Sequence, residues 1–331
     1  MSGTAPIAVT GLKPQHPPVN VVVVAGPTAS GKSALALDIA EAFRGTVINA
    51  DSMQVYRELP ILTAAPDRTA RARAPHRLYG VIAADEGCSA GHWRGLAVAE
   101  IYAAADAGRL AVVVGGTGLY LRALMTGLAG IPPVPKVVRG AVRDRLGRDG
   151  AAALHGELAM RDPVMAARLG PGDGQRIARA IEVLDATGRS LAEWQRPRPG
   201  PGAADRLRFL TVLLLPPRAA LYAACDARLE AMIAHGAVDE ARALGASGLD
   251  PRLPAMKAVG LRELLRYGAG EITLEEALRL GRQATRRYAK RQMTWFRNQM
   301  TPDHTIDAQY SESNRPEIFS YISNFLLTST P

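Results

Sequence analysis

Near its N-terminus the chain reads Gly26-Pro27-Thr28-Ala29-Ser30-Gly31-Lys32-Ser33, directly after the apolar run Val21 to Ala25. A short buried strand, a glycine-rich turn and a following helix make a phosphate-binding loop, in which backbone N–H groups surround phosphate oxygens. Lys32 adds a positive charge, and the hydroxyl of Ser33 suits Mg²⁺. The loop predicts that residues 26 to 33 bind a phosphate group, and it leaves the chemistry open.

The charge of the chain favours a polyanionic partner such as nucleic acid. Its 40 lysines and arginines exceed its 31 aspartates and glutamates, which gives a formal charge of +9 and a sequence pI near 9.9. Basic proteins without such a partner are also common, so the charge alone does not identify one. A length of 331 residues allows one large or two moderate domains with ample core.

Cysteine and histidine usage gives no sign of a metal site. Cys88 and Cys225 lie far apart in sequence, and His76 and His92 are isolated. Reduced thiols in the cytoplasm are therefore the expectation. The sequence shows neither an apolar run of membrane-spanning length nor the long apolar core of a signal peptide, so we expect no membrane contact.

The first half of the chain alternates strand-like and helix-like segments. Residues 1–19 contain four prolines among small and polar residues and are interpreted as a flexible leader. A helix from Ser33 to Phe43 and a second strand from Thr46 to Ala50 follow. Strands of an open parallel sheet present ligands at their carboxyl ends, so Asp51 should lie beside the phosphate loop. There it could act in chemistry, cap a helix or hold Mg²⁺.

A third strand, Leu110 to Val114, ends in Gly115-Gly116-Thr117 rather than in an acidic residue. An ATP-hydrolysing protein of this class would usually place a carboxylate there to help hold Mg²⁺. Glycines allow close approach of backbones, and Thr117 offers a hydroxyl to whatever binds at this edge. The alternative is a tight turn between strand and helix without a chemical role.

The pattern changes after Pro132. Residues 136–200 show only short helical stretches and are interpreted as a helical insertion, whose basic residues either contact a partner or solvate the surface. Strand character returns at Arg208 to Leu215, which completes the sheet. The predicted fold is therefore α/β: a phosphate-loop parallel sheet flanked by helices, formed by 20–135 and 201–300, with an all-helical insertion.

The last long predicted helix runs from Thr273 to about Gln299. Four basic residues share one face of it, at spacings of three or four: Arg279, Arg282, Arg286 and Lys290. The aromatic residues Tyr288, Trp295 and Phe296 are interpreted as packing residues. Residues 301–331 lose the basic bias and are interpreted as a peripheral tail.

Six segments in this order resemble the motifs of the tRNA dimethylallyltransferases, also called tRNA isopentenyltransferases. They are GPTASGKS from Gly26, DSMQVY from Asp51, APHRL from Ala74, VGGTGLYL from Val114, DGQRIARAIEV from Asp173 and RRYAKRQMTWFR from Arg286. The resemblance covers about residues 20 to 300, and the order of six motifs is far more specific than the phosphate loop alone.

The resemblance implies transfer of a five-carbon prenyl group from dimethylallyl diphosphate to the N6 amine of an adenosine in tRNA. That adenosine lies next to the anticodon on its 3′ side, in tRNAs that read codons beginning with U. A phosphate cradle stabilises the departing diphosphate, and a carboxylate removes the proton of the weakly nucleophilic amine. The implied cofactor is Mg²⁺, the implied partner is the tRNA anticodon stem-loop, and the expected state is a monomer.

The same resemblance assigns roles to individual residues. Asp51 would be the general base, Thr117 would line the channel beside it, Arg228 would reach the diphosphate and Ser33 would contact Mg²⁺. The implied diphosphate-binding residues are Gly26, Pro27, Thr28, Ala29, Ser30, Gly31, Lys32 and Ser33. The implied tRNA contacts are Asp51, Ser52, Met53, Gln54, Thr117, Arg139, Gln175, Arg176, Ile177, Ala178, Arg179, Lys257, Ala258, Val259, Gly260, Leu261 and Arg262. The insertion would contact the anticodon region.

The chain departs from the family pattern at four positions. Leu62 and Ala65 stand where the family usually has a glycine and a lysine, Trp93 where it has a phenylalanine, and Leu261 where it has a tyrosine. None of these changes removes the phosphate loop, Asp51 or Thr117.

Three other functions compete with tRNA prenylation. A small-molecule kinase would use the same loop for ATP, although Gly115-Gly116-Thr117 argues against it. A prenyltransferase could use a free adenine nucleotide as acceptor, although the basic insertion and last helix favour tRNA. A non-catalytic RNA-binding protein would have no need of Lys32, Ser33, Asp51 and Thr117.

Overall fold

The computed structural model describes residues 18–196 and 206–328. Most of the predicted leader therefore lies outside the described residues, and its last residue, Val19, already belongs to a strand. The described residues form two compact units, one of 18–127 with 206–328 and one of 128–196. The second unit begins eight residues before the predicted start of the insertion at 136 (136 − 128 = 8).

The first unit is built on a sheet of six strands within the described residues. The strands are β1 (Val19–Ala25), β2 (Gly45–Asn49), β3 (His76–Arg77), β4 (Leu110–Gly115), β5 (Leu207–Leu214) and β6 (His304–Ile306). Their order is β3-β2-β4-β1-β5-β6, and all of the pairings are parallel. The predicted α/β class with a parallel sheet is confirmed.

Helices connect these strands and also make up the second unit. Those of the first unit are α1 (Lys32–Ala42), α2 (Arg68–Arg73), α3 (Ala90–Asp106), α4 (Gly118–Thr126), α9 (Arg218–Ala234), α10 (Ala237–Ala246), α11 (Leu261–Gly268), α12 (Leu274–Gln299) and α13 (Arg315–Leu327). Those of the second are α5 (Lys136–Arg161), α6 (Pro163–Ala166), α7 (Gly174–Thr187) and α8 (Leu191–Trp194).

Both faces of the sheet are buried, which explains why its central strands are continuously apolar. Side chains alternate along a strand, so Val21 and Val23 of β1 pack on one layer with Trp93, while Val22 and Val24 pack on the other. The second layer contains α1 and α13. The carboxyl ends of β1, β2 and β4 are thereby held at one edge of the sheet.

Within the described part of the second unit, 128–196, the regular structure is helical. Gly150 interrupts α5 with a φ of 81°, a left-handed conformation that glycine adopts without strain. The amphipathic helix α7 buries Ile177 and Ile181 in the core of this unit.

The interpretation of residues 301–331 as a peripheral tail is wrong for the residues that the structure describes. The strand β6 pairs with β5, and Ile318 and Ile322 of α13 are fully buried against the sheet. Their spacing of four residues places both on one face of the helix. The segment is therefore a structural part of the first unit.

In the portions described, 18–196 and 206–328, no helix combines the length and apolar character needed to cross a membrane.

Candidate active site

The turn after β2 places Asp51 by means of a buried asparagine. The side-chain oxygen of Asn49 accepts the backbone N–H of Asp51 at 2.8 Å, and its amide nitrogen donates to the carbonyls of Asp51 and Leu78, both at 3.0 Å. Trp93 donates its indole N–H to the carbonyl of Asn49 at 2.9 Å. The Asp51 carboxylate accepts the N–H of Met53 at 2.9 Å through Oδ1, which leaves Oδ2 for another partner.

Thr117 stands on the adjoining turn after β4. Its hydroxyl oxygen accepts the backbone N–H of Ser52 at 2.9 Å, and the hydroxyl donates to the Ser52 hydroxyl at 3.2 Å. Ser52 is the residue next to Asp51, so the turns that follow β2 and β4 are joined directly. Thr117 was expected beside Asp51, and it contacts Ser52, the next residue in the chain.

The phosphate loop has the conformation that its sequence predicts. Gly31 adopts a φ of 87° at the start of α1, where a residue with a Cβ would be strained and would also approach Tyr310 to 2.8 Å. Lys32 is buried, and its ammonium group donates to the carbonyl of Pro27 at 3.2 Å. Ser33 is exposed in the first turn of α1, and the buried Ser30 hydroxyl has no hydrogen-bond partner among the described residues.

Gln292 is a site residue that sequence analysis missed. It lies on α12, is buried, and accepts the backbone N–H of Thr28 at 2.8 Å while donating to the carbonyl of Gly116 at 2.8 Å. A Cβ on Gly116 would come within 2.3 Å of this side chain, which explains the glycine at that position. Gln292 therefore joins the phosphate loop to the turn after β4.

Arg228 reaches the phosphate loop from α9. It donates to the hydroxyl of Thr28 at 3.3 Å and to the carbonyl of Thr63 at 3.2 Å. Arg228 was expected near the diphosphate, and it contacts Thr28 of the phosphate loop.

Thr28 of the phosphate loop, Asp51, Ser52 and Arg228 line a cavity of about 200 Å³ in the first unit. Its lining residues are Thr28, Asp51, Ser52, Met53, Leu62, Thr63, Cys225, Arg228, Leu229, Met232, Lys257, Ala258, Val259, Thr285, Tyr288 and Arg291. The phosphate loop, the carboxylate and the C-terminal arginine thus meet at one space. Tyr288, interpreted from the sequence as a packing residue, lines this space instead.

The charges of the cavity act on one another. Burial lowers the pKa of Lys32 to about 8, while the nearby Asp51 carboxylate raises it and Arg228 lowers it further. Burial also lowers the pKa of Arg228, which Asp51 partly offsets. Burial raises the pKa of the Cys225 thiol to about 11, so this cysteine is a neutral wall of the cavity at pH 7.

The segment 257–262 contributes to the site through part of its length. Lys257, Ala258 and Val259 line the cavity, and Arg262 is exposed at the start of α11. Gly260 takes a φ of 90° at the N-terminal boundary of this helix, and Leu261 is fully buried in the core. The expected partner contact of Leu261 is therefore wrong for its side chain.

The predicted tRNA contacts in the second unit also include both exposed and buried residues. Gln175 and Arg176 are exposed, and Arg179 is half-buried beside Glu182. Ile177 and Ala178 lie in the core of that unit, so they cannot offer side chains to a partner. Successive side chains point to different sides of a helix, so five consecutive residues must include some that face the core. Arg139 lies on α5 and donates to the carbonyl of Val134 at 3.3 Å.

The basic face predicted on the last long helix lines a groove with a volume of about 370 Å³. Arg282 pairs with Glu230 at 2.5 Å, and Arg286 pairs with Asp226. Arg287 and Lys290 belong to the same surface. The residues that line this basic groove are Tyr222, Arg279, Arg282, Gln283, Arg286, Arg287 and Lys290.

Among residues 18–196 and 206–328, no group of three or more histidine, cysteine, aspartate or glutamate side chains is arranged to hold a metal ion. The Ser33 hydroxyl is an oxygen ligand of the kind that Mg²⁺ takes together with phosphate oxygens and water.

Fold and site together define an α/β protein with a phosphate-loop sequence, of which Thr28 lines a cavity that also contains Asp51 and apolar side chains. The family model described as IPP transferase matches residues 54–299. The chain belongs to this family, and the resemblance to the tRNA dimethylallyltransferases is confirmed.

Relatives and solved structures agree with this assignment. A tRNA dimethylallyltransferase of Rhodospirillum centenum is 57% identical over 290 residues, which cover 87% of this chain and 91% of that protein. The crystal structure of a full-length tRNA isopentenylpyrophosphate transferase from Bacillus halodurans is 31% identical, with a TM-score of 0.67 over 94% of this chain and 97% of that one. A eukaryotic dimethylallyltransferase acting on tRNA has a TM-score of 0.78 at 25% identity, over 95% of this chain and 80% of that one.

Proposed function

We propose that this enzyme transfers a dimethylallyl group from dimethylallyl diphosphate to N6 of the adenosine on the 3′ side of the anticodon, in tRNAs that read codons beginning with U. A bond forms between N6 and C1 of the prenyl group as the bond from C1 to the diphosphate oxygen breaks. The proton leaves N6 and diphosphate departs. The products are N6-dimethylallyladenosine in tRNA and diphosphate.

The cavity that contains both Asp51 and the cations around the phosphate loop carries this proposal. The transfer needs an anion site for the leaving group and a proton acceptor on the side of the attacking amine. Thr28, Arg228 and Asp51 all line this cavity. A single space thus offers both ends of a displacement reaction.

Asp51 acts as the general base in this mechanism. Its Oδ1 is occupied by the Met53 N–H, and Oδ2 is available to accept the N6 proton. Thr117 fixes Ser52, which follows Asp51 in the turn. The adenine amine is a weak nucleophile because its lone pair is delocalised, so loss of the proton has to accompany bond formation.

The leaving diphosphate is held by the phosphate loop and by Arg228. The loop offers Lys32 and the N-terminus of α1. Ser33 would supply a hydroxyl ligand to Mg²⁺ in this proposal. When bound, this ion neutralises charge on the leaving group. The positive groups cost no reorganisation as charge develops, because the fold already holds them in place.

The basic groove on α12 and the exposed Lys257 and Arg262 are the tRNA-binding surface of the first unit in this proposal. Arg139, Gln175, Arg176 and Arg179 of the second unit supply further contacts to the anticodon region. Such contacts bind phosphates without reading sequence, so the affinity for tRNA should fall steeply with salt. The target adenosine leaves its stack to enter the cavity, at a cost of a few kcal/mol. We also propose that the enzyme is a monomer in the cytoplasm.

A prenyl-transfer assay tests the function. Labelled dimethylallyl diphosphate and Mg²⁺ are incubated with an anticodon stem-loop that has adenosine at the target position, and with a control that has guanosine there. Label in the adenosine substrate alone is expected. Turnover of ATP in place of prenyl transfer would identify a kinase, label in free AMP but not in RNA would identify a nucleotide prenyltransferase, and RNA binding without any transfer would identify an inactive RNA-binding protein.

A further inference from the structure

The cavity has an apolar wall that the chemistry above does not use. Besides its charged groups, it is lined by hydrophobic side chains, namely Met53, Leu62, Leu229, Met232 and Val259. Leu62 is 6% exposed and belongs to the main core, which makes it a fixed part of the wall. An apolar wall next to a diphosphate site has the chemistry to bind the hydrocarbon part of a prenyl donor.

The backbone around Leu62 is held by Glu240 of α10 and by Gln54, which lies earlier in the same loop after β2. The Glu240 carboxylate accepts the N–H of Ile61 at 2.7 Å and that of Leu62 at 2.8 Å. Gln54 donates to the carbonyls of Thr63 and Ala64, both at 2.9 Å.

Arg228 also donates to the carbonyl of Thr63, at 3.2 Å. The loop that carries Leu62 is thereby tied to the same arginine that contacts the phosphate loop. The side chain of Leu62 therefore has little freedom to withdraw when a longer ligand enters.

Leu62 and Leu229 close the apolar wall beside Gly260. A Cβ placed on Gly260 would lie 3.9 Å from a terminal methyl of each leucine, so the two side chains converge on this point from α9 and from the loop after β2.

We propose that Leu62 sets the length of the prenyl donor by closing the apolar end of the cavity. The five-carbon dimethylallyl group fits between the phosphate loop and Leu62, while a ten-carbon geranyl group would need the space that the leucine occupies. This inference rests on the proposed function for the identity of the reaction. It adds a residue that selects among prenyl diphosphates.

The main experiment compares geranyl with dimethylallyl diphosphate as donors for wild type and Leu62→Ala. The measured quantity is the ratio of the two kcat/KM values, which does not depend on how much of each preparation is folded. We expect the ratio to rise by about tenfold or more in Leu62→Ala, since hydrophobic pockets discriminate by roughly that factor per missing group. An unchanged ratio in a folded variant would overturn the proposal.

Leu244→Ala is the matched control. Leu244 lies on α10, is 4% exposed, belongs to the same core and does not line the cavity. The substitution removes the same atoms, and it should lower stability without changing the donor ratio. A similar rise in both variants would mean that general loosening of the core admits the longer donor, which contradicts a specific role of Leu62.

Binding measurements separate failure of this inference from failure of the proposed function. The thiolodiphosphate analogues of both donors, in which sulfur replaces the bridging oxygen, can be titrated calorimetrically without RNA. Wild type should bind the dimethylallyl analogue more tightly, and Leu62→Ala should reduce the difference. Equal binding of both analogues to wild type would overturn the inference even where prenyl transfer succeeds. If the wild-type enzyme transfers nothing to RNA, the analogues still report on length selection.

Two further variants cover the case in which Leu62→Ala does not fold. Leu62→Val shortens the side chain with a smaller loss of packing, and it should change the analogue preference in the same direction. Leu62→Phe fills the cavity further, so it should weaken binding of the dimethylallyl analogue while leaving pyrophosphate binding unchanged. Loss of pyrophosphate binding in Leu62→Phe would show that the residue acts on the phosphate site instead.

Discussion

The side-chain oxygen of Gln292 accepts a hydrogen bond from the backbone N–H of Thr28 at 2.8 Å. The same amide donates to the carbonyl of Gly116 at 2.8 Å, so one buried side chain satisfies two backbone groups of the site. Since α12 also carries the basic groove and Tyr288, this helix connects the proposed tRNA surface, the cavity wall and the phosphate loop.

Gln292→Leu should weaken the phosphate site as well as the fold. The substitution keeps the approximate size of the side chain but leaves a buried N–H and a buried carbonyl without partners. We expect the free energy of unfolding to fall by about 1–3 kcal/mol and pyrophosphate affinity to fall by roughly tenfold. Chemical denaturation and calorimetric titration measure the two effects. Gln299→Leu, an exposed change at the end of the same helix, should alter neither.

Asp51→Asn should abolish turnover while preserving ligand binding. Asparagine has the same shape and can still accept the Met53 N–H, but its amide cannot take a proton from N6. Single-turnover transfer should slow by about 10²- to 10⁴-fold. Filter binding of the stem-loop and calorimetry with pyrophosphate should give affinities close to those of wild type.

The control for this variant is Asp307→Asn, an exposed aspartate outside the cavity. It removes the same charge from the chain and should leave the transfer rate unchanged. A near-wild-type rate in Asp51→Asn would exclude the carboxylate as the base.

Local sequence patterns predicted the centre of the sheet and the phosphate loop, because a strand, a glycine-rich turn and a helix are short-range features. Two short edge strands were missed: β3 has two residues and β6 three, too few for a periodic pattern. The helix α13 did have a readable signal, since Ile318, Ile322 and Phe325 recur at helical spacing. Loss of the basic bias in 301–331 has no bearing on this spacing, so it was not a sound reason to predict a peripheral tail.

The site was predicted where motifs carry it and missed where the fold brings distant residues together. Asp51, Thr117 and Arg228 belong to or follow recognisable segments. Gln292 contacts a backbone group 264 positions away, and Glu240 holds the loop of Leu62 from 178 positions away. Neither contact has a local signature, because a glutamine or glutamate on a helix is most often solvated.

The pH dependence of pyrophosphate binding should reveal Lys32. Burial lowers its pKa in the free enzyme to about 8, so the ammonium group is charged at pH 7 and loses its proton as the pH rises through 8. A bound anion favours the charged form and raises this pKa. Pyrophosphate affinity should therefore decline above pH 8, with proton uptake on binding.

Pyrophosphate itself also titrates, so the informative quantity is the difference between the profiles of wild type and Lys32→Met. Lys32→Met should bind pyrophosphate more weakly than wild type at pH 7, and this difference in affinity should narrow as the pH rises from 7 to 10. A difference in affinity that stays constant over this range would mean that Lys32 does not lose its charge between pH 7 and pH 10.

The C-terminal helix should be essential for stability. Ile318 is fully buried between α13 and the sheet, and replacing isoleucine by alanine in a core removes its packing and leaves a cavity. Ile318→Ala should lower the free energy of unfolding by about 2–5 kcal/mol, measured by urea denaturation. Leu327→Ala, at a side chain that is 72% exposed on the same helix, should change it by less than about 0.5 kcal/mol. Equal small effects in both variants would restore the interpretation of this segment as a peripheral tail.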